Sequence, residues 1–322
     1  MENRGKSELR KLIQEQYVNI AGMVVLKDDQ IVYEDYFDGY NQSHTLHVAS
    51  VTKSVFSVLI GIAVDKGAIK TVEQRVLDFF PEYKIRRGEK TIQDVRIKNL
   101  LTMTAPYKFK NEPYTRVYSR DDWTEAVLDL LGGQGKIGEF KYTTLGMQVL
   151  SGILTKATGQ SVLDFARENL FEPLGIQAPH NRRIQNKEEY LAFLKDKHVS
   201  GWVVDPRGVN TAGWGLALSA RDMGKIGQIY LNKGRFQDRQ IVSSQWIEES
   251  TRAHSHWGDR AYGYLWWIIE DQEFSGTAAL GDGGNVIYVS PEKKMVIAIA
   301  SRFMPRPKDR MELIRKHIAP LF

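Results

Sequence analysis

The chain contains no cysteine among its 322 residues. Disulfide bonds, zinc sites built from thiolates and a cysteine nucleophile are therefore excluded, while the redox state of the compartment stays open. Long apolar runs are also missing. The longest, Val55 to Val64, is well short of the roughly 20 residues that cross a bilayer, so we predict no membrane segment.

Two further absences concern location and partners. Residues 1–11 carry charges of both signs and lack the apolar stretch and cleavage site of a secretory signal, so we expect a cytoplasmic protein unless preceding residues have been removed. The excess of one charge is small: 44 Lys and Arg against 39 Asp and Glu give +5, without long runs. This balance argues against a nucleic-acid partner.

Several common catalytic motifs are absent. The chain has no Gly-x-Ser-x-Gly, so an α/β-hydrolase elbow is not indicated, and neither His-Glu-x-x-His nor a P-loop is present. Gly133 to Gly138 spells Gly-x-Gly-x-x-Gly, but it follows a helix-like segment, so we predict a flexible loop. His254 and His256 lack a neighbouring carboxylate cluster, which favours an exposed loop. We predict neither a metal nor an organic cofactor.

Strand-like and helix-like patterns are segregated along the chain. Ile20–Leu26 and Gln30–Phe37 read as a β-hairpin, and the middle of the chain is mostly helical. Four β-like runs follow near the C-terminus: Gly263–Ile269, Glu273–Leu280, Val286–Val289 and Met295–Ser301. We predict an α+β fold with an antiparallel sheet built from both chain ends and flanked by helices, plus an inserted, mostly helical lobe.

The predicted boundaries place the sheet lobe at residues 1–48 and 205–322 and the helical lobe at 49–204. A content of 42% hydrophobic and 11% aromatic residues is ample for such a core. We expect the site in the cleft between the lobes. Pro106 to Asp122 lacks periodicity and is predicted to be a long irregular loop able to wall that site.

Ser50 stands where a polar loop meets the apolar run, at the predicted start of a helix. The free backbone N–H groups and positive end of a helix suit an oxyanion. Lys53 follows three residues later on the same helix face, within reach of the serine hydroxyl. The residues after it are apolar, so we expect Lys53 to be buried, and a neutral lysine amine can accept a serine proton. Ser50 is the predicted nucleophile.

A Ser-x-x-Lys pattern is short enough to occur by chance, and Ser290 to Lys293 also matches it. That second copy contains proline and lies between two β-like runs, so we predict a hairpin turn there. For Ser50 the alternative interpretation is a helix N-cap with Lys53 on a solvated first turn. On these residues alone both interpretations of Ser50 stay open.

Two more stretches accompany Ser50 and Lys53. Lys141–Met147 places Tyr142 just before a long helix, and Leu280–Asn285 places a glycine bend beside a strand. In this order the three stretches resemble the serine β-lactamase and penicillin-binding protein superfamily, in particular the class C β-lactamase-like branch with its family VIII esterases and 6-aminohexanoate-dimer hydrolases. Further similar stretches extend the resemblance to nearly the whole chain: Leu100–Thr104, Phe171–Ile176, Ala212–Asp222 and Tyr262–Trp267.

The resemblance implies roles for individual residues. Ser50 would be acylated, Lys53 and Tyr142 would share the base and acid roles, and the backbone N–H groups of Ser50 and Asn285 would form the oxyanion hole. A free tyrosine ionises only near a pH of about 10, so a proton-relaying Tyr142 needs a nearby cation. The alternative for Tyr142 is a buried structural residue that caps the helix. Tyr17–Asn19 also matches a Tyr-x-Asn motif, but it precedes Ser50 and leads into a strand, so we set it aside.

The chain departs from the family pattern at two positions. Thr144 stands where the second motif often ends in asparagine, which predicts looser binding of a substrate amide. Asp282, followed by Gly283 and Gly284, stands where a basic residue or histidine binds a substrate carboxylate. Repulsion there can reach roughly a few kcal/mol, so we predict poor β-lactamase and D,D-peptidase activity and attraction of a substrate ammonium group. The alternative is that Asp282 only forms a turn and points away.

The leading hypothesis is a serine hydrolase that cleaves an amide or ester bond of a small non-β-lactam molecule through an acyl-enzyme. The alternatives are D,D-peptidase or β-lactamase activity, and a binding or sensor module that does not turn over. Ser50 and Lys53 are both present, which favours an enzyme over the binding module.

Overall fold

The computed structural model describes residues 2–271 and 274–322, so the predicted start of a strand at Glu273 lies outside the described residues. The helices are α1 Glu2–Gln16, α2 Val51–Asp65, α3 Ile97–Leu101, α4 Tyr114–Tyr118, α5 Trp123–Leu128, α6 Met147–Thr158, α7 Val162–Ala166, α8 Lys187–Lys195, α9 Ala220–Leu231, α10 Ser244–Ser250 and α11 Arg310–Leu313. Short 3-10 turns occupy Val76–Phe79, Thr91–Asp94 and Ala319–Leu321, and π-turns occupy Arg167–Phe171 and Ile314–Ile318.

The strands are β1 Ile20–Lys27, β2 Gln30–Tyr36, β3 Leu46–His47, β4 Asn181–Arg183, β5 Trp202–Val204, β6 Ala217–Leu218, β7 Arg235–Phe236, β8 Arg239–Gln240, β9 Ser255–Trp257, β10 Arg260–Tyr262, β11 Trp267–Ile269, β12 Gly276–Gly281, β13 Asn285–Ser290 and β14 Met295–Ser301. Eight of them form one sheet in the order β2-β1-β14-β13-β12-β11-β10-β9, and each neighbouring pair is antiparallel. The N-terminal β1 pairs with the C-terminal β14. The predicted α+β class, with a sheet built from both chain ends, is confirmed.

Both faces of this sheet are covered, which explains why β14 is a continuous apolar run whose seven residues are all buried. One face carries Met23 and Ile297 and packs against Leu9 of α1 and Leu313 of α11. The opposite face belongs to a larger core that also contains the apolar residues of α2, α6 and α9. Because that core runs through both predicted lobes, the lobe boundaries stay an interpretation of the sequence.

Turn residues fix two hairpins of the sheet. Asp28 and Asp29 between β1 and β2 have φ of 47° and 64°, the left-handed pair that a tight hairpin turn requires. Ser290 ends β13 and pairs with Met295 at the start of β14, so the second Ser-x-x-Lys sequence is the predicted hairpin turn.

Three local predictions are wrong. The stretch from Pro106 to Asp122 contains the helix α4 rather than only loop. The run Gly263–Ile269 is not one strand, because Leu265 adopts a left-handed φ of 63° between β10 and β11. His254 is not exposed: its ring stacks on Tyr264 at a centroid distance of 4.4 Å. Among the described residues, no helix has the length and apolar character to cross a membrane.

Gly61 tests how tightly the central helix α2 is packed. A Cβ at Gly61 would lie 2.5 Å from the indole of Trp246 in α10. We expect Gly61→Val to lower the free energy of unfolding by about 1–3 kcal/mol, since the indole has to move. Denaturant unfolding measures this loss. Ala192→Val on the exposed face of α8 is the control, with an expected change below ~0.7 kcal/mol; equal losses in the two variants would contradict the packing argument.

Candidate active site

Ser50 lies at the junction of β3 and α2, immediately before the first helical residue. The preceding residue, Ala49, has a φ of 49°, a strained conformation for a residue with a side chain. The sequence predicts free N–H groups in the first helical turn. In the structure those of Val51 and Thr52 are not free, because they donate to the carbonyls of Val48 and Ala49. Within residues 2–271 and 274–322 no acceptor is found for the Ser50 N–H, which leaves this amide available for an oxyanion.

Lys53 is buried, with 1% of its surface exposed, and its Nζ has three hydrogen-bond partners. Nζ donates to Ser50 Oγ at 2.8 Å, to the Gly213 carbonyl at 2.8 Å and to Thr144 Oγ1 at 3.2 Å. The alternative of a solvated first-turn lysine is therefore wrong. Gly213 was not predicted from the sequence; a Cβ there would lie 2.5 Å from the Thr144 carbonyl, so only glycine lets the two segments approach.

Tyr142 lies over Lys53, whose Nζ is 4.9 Å from the centre of the tyrosine ring. Its side chain is 36% exposed, so the alternative of a buried structural tyrosine is wrong. Thr144, two residues on, reaches the same lysine through its hydroxyl. The structure therefore brings together Ser50, Lys53, Tyr142 and Thr144, four of the predicted site residues.

Glu112, which was not predicted from the sequence, holds the second motif, the Lys141–Met147 stretch, in place. Its Oε1 accepts hydrogen bonds from Thr143 Oγ1 at 2.5 Å, from the Thr144 N–H at 2.8 Å and from the Leu145 N–H at 2.7 Å. Its Oε2 accepts from the Tyr114 hydroxyl at 2.6 Å. A carboxylate bound to exposed N–H groups near a helix start is a recognised cap, but here it comes from a distant loop, and no local pattern signals it.

The third motif, the Leu280–Asn285 stretch, approaches the nucleophile through Gly281, the last residue of β12. A Cβ on Gly281 would lie 2.3 Å from the Val48 carbonyl and 3.3 Å from the Ser50 nitrogen. Asn285 pairs with Gly281 across the hairpin, and its Nδ2 donates to the His47 carbonyl at 3.3 Å. The strand edge thus lies against the Ser50 amide, with Gly281 as the residue in direct contact and the Asn285 side chain bracing it.

Asp282 is exposed, and its charge acts on Tyr190. The Asp282 carboxylate adds to burial in raising the pKa of Tyr190 above its ordinary value. Tyr190 packs edge-on against Trp214 at 5.5 Å between ring centroids, and Trp214 adjoins the Gly213 carbonyl that Lys53 contacts. Whether the Asp282 carboxylate faces the cleft stays a prediction.

Gly283 and Gly284 are buried and rest on a cationic support. Asn19 Nδ2 donates to the Gly283 carbonyl at 2.6 Å, and Arg310 donates to Asn19 Oδ1. A Cβ on Gly284 would lie 2.8 Å from Arg310 Nε, and burial lowers the pKa of Arg310 to about 10. Asn19, set aside as a catalytic residue from the sequence, therefore supports the third motif from behind.

His47, in β3, has no acid–base role at neutral pH. Burial lowers the pKa of His47 to about 3, so the ring is neutral. Its Nε2 accepts the Gly215 N–H at 3.1 Å, which ties β3 to the Gly213 segment. Among the described residues no group of three or more His, Asp or Glu side chains is arranged to hold a metal ion. A half-buried serine in contact with a buried lysine, beside a partly exposed tyrosine, can transfer a proton and form an ester on serine.

A mixed sheet-and-helix fold with this Ser–Lys–Tyr arrangement defines the serine β-lactamase-like class of hydrolases. The chain belongs to the Beta-lactamase family, whose model matches residues 9–319. It is 23% identical over 313 residues to the 6-aminohexanoate-dimer hydrolase of Paenarthrobacter ureafaciens, covering 89% of this chain and 73% of the relative.

Solved structures share the fold over nearly the full length of both chains. A penicillin-binding protein homologue from Caulobacter crescentus superposes with a TM-score of 0.75 at 16% identity, covering 98% of this chain and 97% of the other. A family VIII carboxylesterase superposes with a TM-score of 0.73 at 14% identity, covering 99% and 97%. The predicted resemblance is confirmed at the level of family and fold.

Removing the carboxylate of Glu112 tests its positioning role. We expect Glu112→Ala to lower kcat at least tenfold with little change in KM, because two backbone N–H groups lose their acceptor at a cost of about 1–3 kcal/mol each and Thr144 leaves Lys53. Glu112→Gln keeps one oxygen acceptor, so its kcat should lie between those of the wild type and Glu112→Ala. Ester hydrolysis measures the loss of kcat, and Tm measures the loss of stability from the unpaired N–H groups. Glu82→Ala, which removes an exposed ion pair with Lys156, is the control; wild-type kcat in Glu112→Ala would contradict the role.

Proposed function

We propose that the protein is a serine hydrolase that cleaves an amide or ester bond of a small non-β-lactam molecule through an acyl-enzyme on Ser50. The observation that carries the proposal is the 2.8 Å contact between the buried Lys53 Nζ and Ser50 Oγ. A nucleophile within hydrogen-bond reach of a base, with that base held by further partners, is the arrangement that activates a serine hydroxyl.

In the acylation step Ser50 Oγ forms a bond to the substrate carbonyl carbon while its proton passes to a neutral Lys53 amine. The other two contacts of that amine, to Gly213 and Thr144, suit its two remaining N–H groups. The carbonyl oxygen becomes an oxyanion that the Ser50 N–H and a backbone N–H of the 281–285 hairpin stabilise, with Asn285 as the predicted second donor.

Collapse of this intermediate breaks the bond to the leaving group, which takes a proton through Tyr142. In this proposal the proton that Lys53 accepted from Ser50 replaces it, and Lys53 Nζ lies 4.9 Å from the centre of the Tyr142 ring. Water then attacks the acyl ester and gives its proton to the same pair of residues, which releases the acid and restores the Ser50 hydroxyl. Each step balances without a metal or an organic cofactor.

Asp282 supports a substrate that carries an ammonium group. The rim position of the carboxylate and the aromatic wall of Tyr190 and Trp214 offer the charge and the ring faces that bind a cation. The relative from Paenarthrobacter ureafaciens is named a 6-aminohexanoate-dimer hydrolase. We infer that linear amides or esters with an amino group suit this cleft better than β-lactams, which carry a carboxylate.

A fluorophosphonate probe and p-nitrophenyl acetate test the proposed chemistry. We expect the probe to label Ser50 by intact mass and peptide mapping, and nitrophenol release to continue beyond one equivalent. Ser50→Ala and Lys53→Ala should each lower kcat by at least about 1,000-fold. Ser57 is a buried serine within α2, and Ser57→Ala is the control that should keep wild-type activity.

The outcomes separate the candidates. Labelling with a single-equivalent burst and no further release would favour a binding or sensor module. Absence of labelling at Ser50, or full activity in Ser50→Ala, would overturn the proposal.

Charge at position 282 tests the inferred substrate class. We expect Asp282→Asn to lower kcat/KM for 6-aminohexanoyl p-nitroanilide about three- to tenfold, since one exposed attraction of about 1 kcal/mol is lost. Hexanoyl p-nitroanilide, the uncharged analogue, should be unaffected. Salt should weaken only the first reaction in the wild type. An Asn variant that keeps the wild-type ratio between the two substrates would rule out this role for Asp282.

A further inference from the structure

A row of aromatic rings leads outward from the catalytic lysine. The ring of Tyr142, whose one face lies 4.9 Å from Lys53 Nζ, stacks on Trp267 with centroids 6.0 Å apart and planes at 17°. Trp267 in turn lies 6.2 Å from Trp257. We call Tyr142, Trp267 and Trp257 the aromatic ledge.

The ledge has a rigid backing. The buried ring of Tyr262 contacts Trp267 edge-on at 4.8 Å and Tyr142 edge-on at 6.3 Å. Burial and the neighbouring Tyr142 raise the pKa of Tyr262 well above its ordinary value, so this hydroxyl stays protonated. Phe140 adds an edge contact to Tyr262 at 5.6 Å. A stack fixed in this way costs a ligand little ordering entropy.

Trp257 is the outer end of the ledge and is 58% exposed. It ends β9, the edge strand of the sheet, and the guanidinium of Arg260 from the neighbouring strand lies 5.7 Å from its ring centre. Core packing does not account for so open an indole, whereas a ring face continuous with a reaction centre is a surface on which ligands stack.

We propose that the aromatic ledge binds the leaving group of the substrate, and that the preferred leaving groups carry an aromatic ring or an extended apolar chain. This inference rests on the proposed function, because Tyr142 is the residue that gives the leaving group its proton. A leaving group that receives this proton departs next to the Tyr142 ring, and the apolar surface adjoining that ring is Trp267 followed by Trp257.

Two acetyl esters of similar intrinsic reactivity test the ledge. Phenyl acetate reaches only Tyr142, whereas 4-biphenylyl acetate carries a second ring toward Trp267 and Trp257. We expect Trp257→Ala to lower kcat/KM for the biphenylyl ester about five- to tenfold, mainly through KM, and to change the phenyl ester less than twofold. Trp257→Phe should retain most of the activity. Ile31→Ala, which trims an exposed side chain at the opposite sheet edge, is the control and should change neither ester.

Direct binding of the product 4-phenylphenol makes the test independent of turnover. We expect calorimetry to give an affinity for the Ser50→Ala protein that falls about five- to tenfold when Trp257→Ala is added. Such a fall in affinity supports the aromatic ledge even if no ester is turned over. The absence of ester turnover would instead overturn the proposed function. Unchanged 4-phenylphenol binding, or equal losses for the two esters, would overturn the ledge.

Discussion

Burial of the Lys53 amine is the constraint on which the rest of the site depends. An amine that is 1% exposed needs a partner for each of its hydrogen-bonding directions, since an unpaired buried polar group costs roughly 2–7 kcal/mol. Its three partners are Ser50, which precedes α2, Thr144 of the Lys141–Met147 stretch, and the carbonyl of Gly213. One side chain thus joins three distant parts of the chain, and its need for partners fixes where the Ser50 hydroxyl lies.

Each of these partners is held by a support of its own. Glu112 fixes the backbone of the Thr144 segment, and the neutral His47 ring accepts the Gly215 N–H beside Gly213. The third motif follows the same rule, because Asn19 and Arg310 grip the Gly283–Gly284 turn from behind. Asn19 lies between α1 and β1, and Arg310 begins α11. Residues near both ends of the chain therefore jointly fix the hairpin that faces Ser50.

The sequence was informative where a requirement is local. An apolar run after Ser50 predicts the helix, the three-residue spacing predicts the Ser50–Lys53 contact, and alternating strand patterns near both chain ends predict the sheet. It was uninformative where the requirement is a meeting of distant segments. Glu112 and Gly281 matter because of what lies opposite them in space, and a lone glutamate in a loop or a glycine at a strand end carries no such signal. The strand predicted across Leu265 was wrong for another reason. The local pattern favours a strand, but tertiary packing imposes a left-handed backbone on Leu265.

The two sides of the cleft differ in kind, and this difference has a chemical consequence. On the rim near Tyr190 and Trp214 the fixed charge is the Asp282 carboxylate, whereas the Tyr142 side is a stack of rings that ends in the exposed Trp257 beside Arg260. In the proposed function, a linear molecule with a cationic end and an apolar end gains from both, because Asp282 attracts the cation and the rings bind the apolar end. The proposed function therefore predicts an extended ligand whose scissile bond lies at Ser50, between a cationic end and an apolar end.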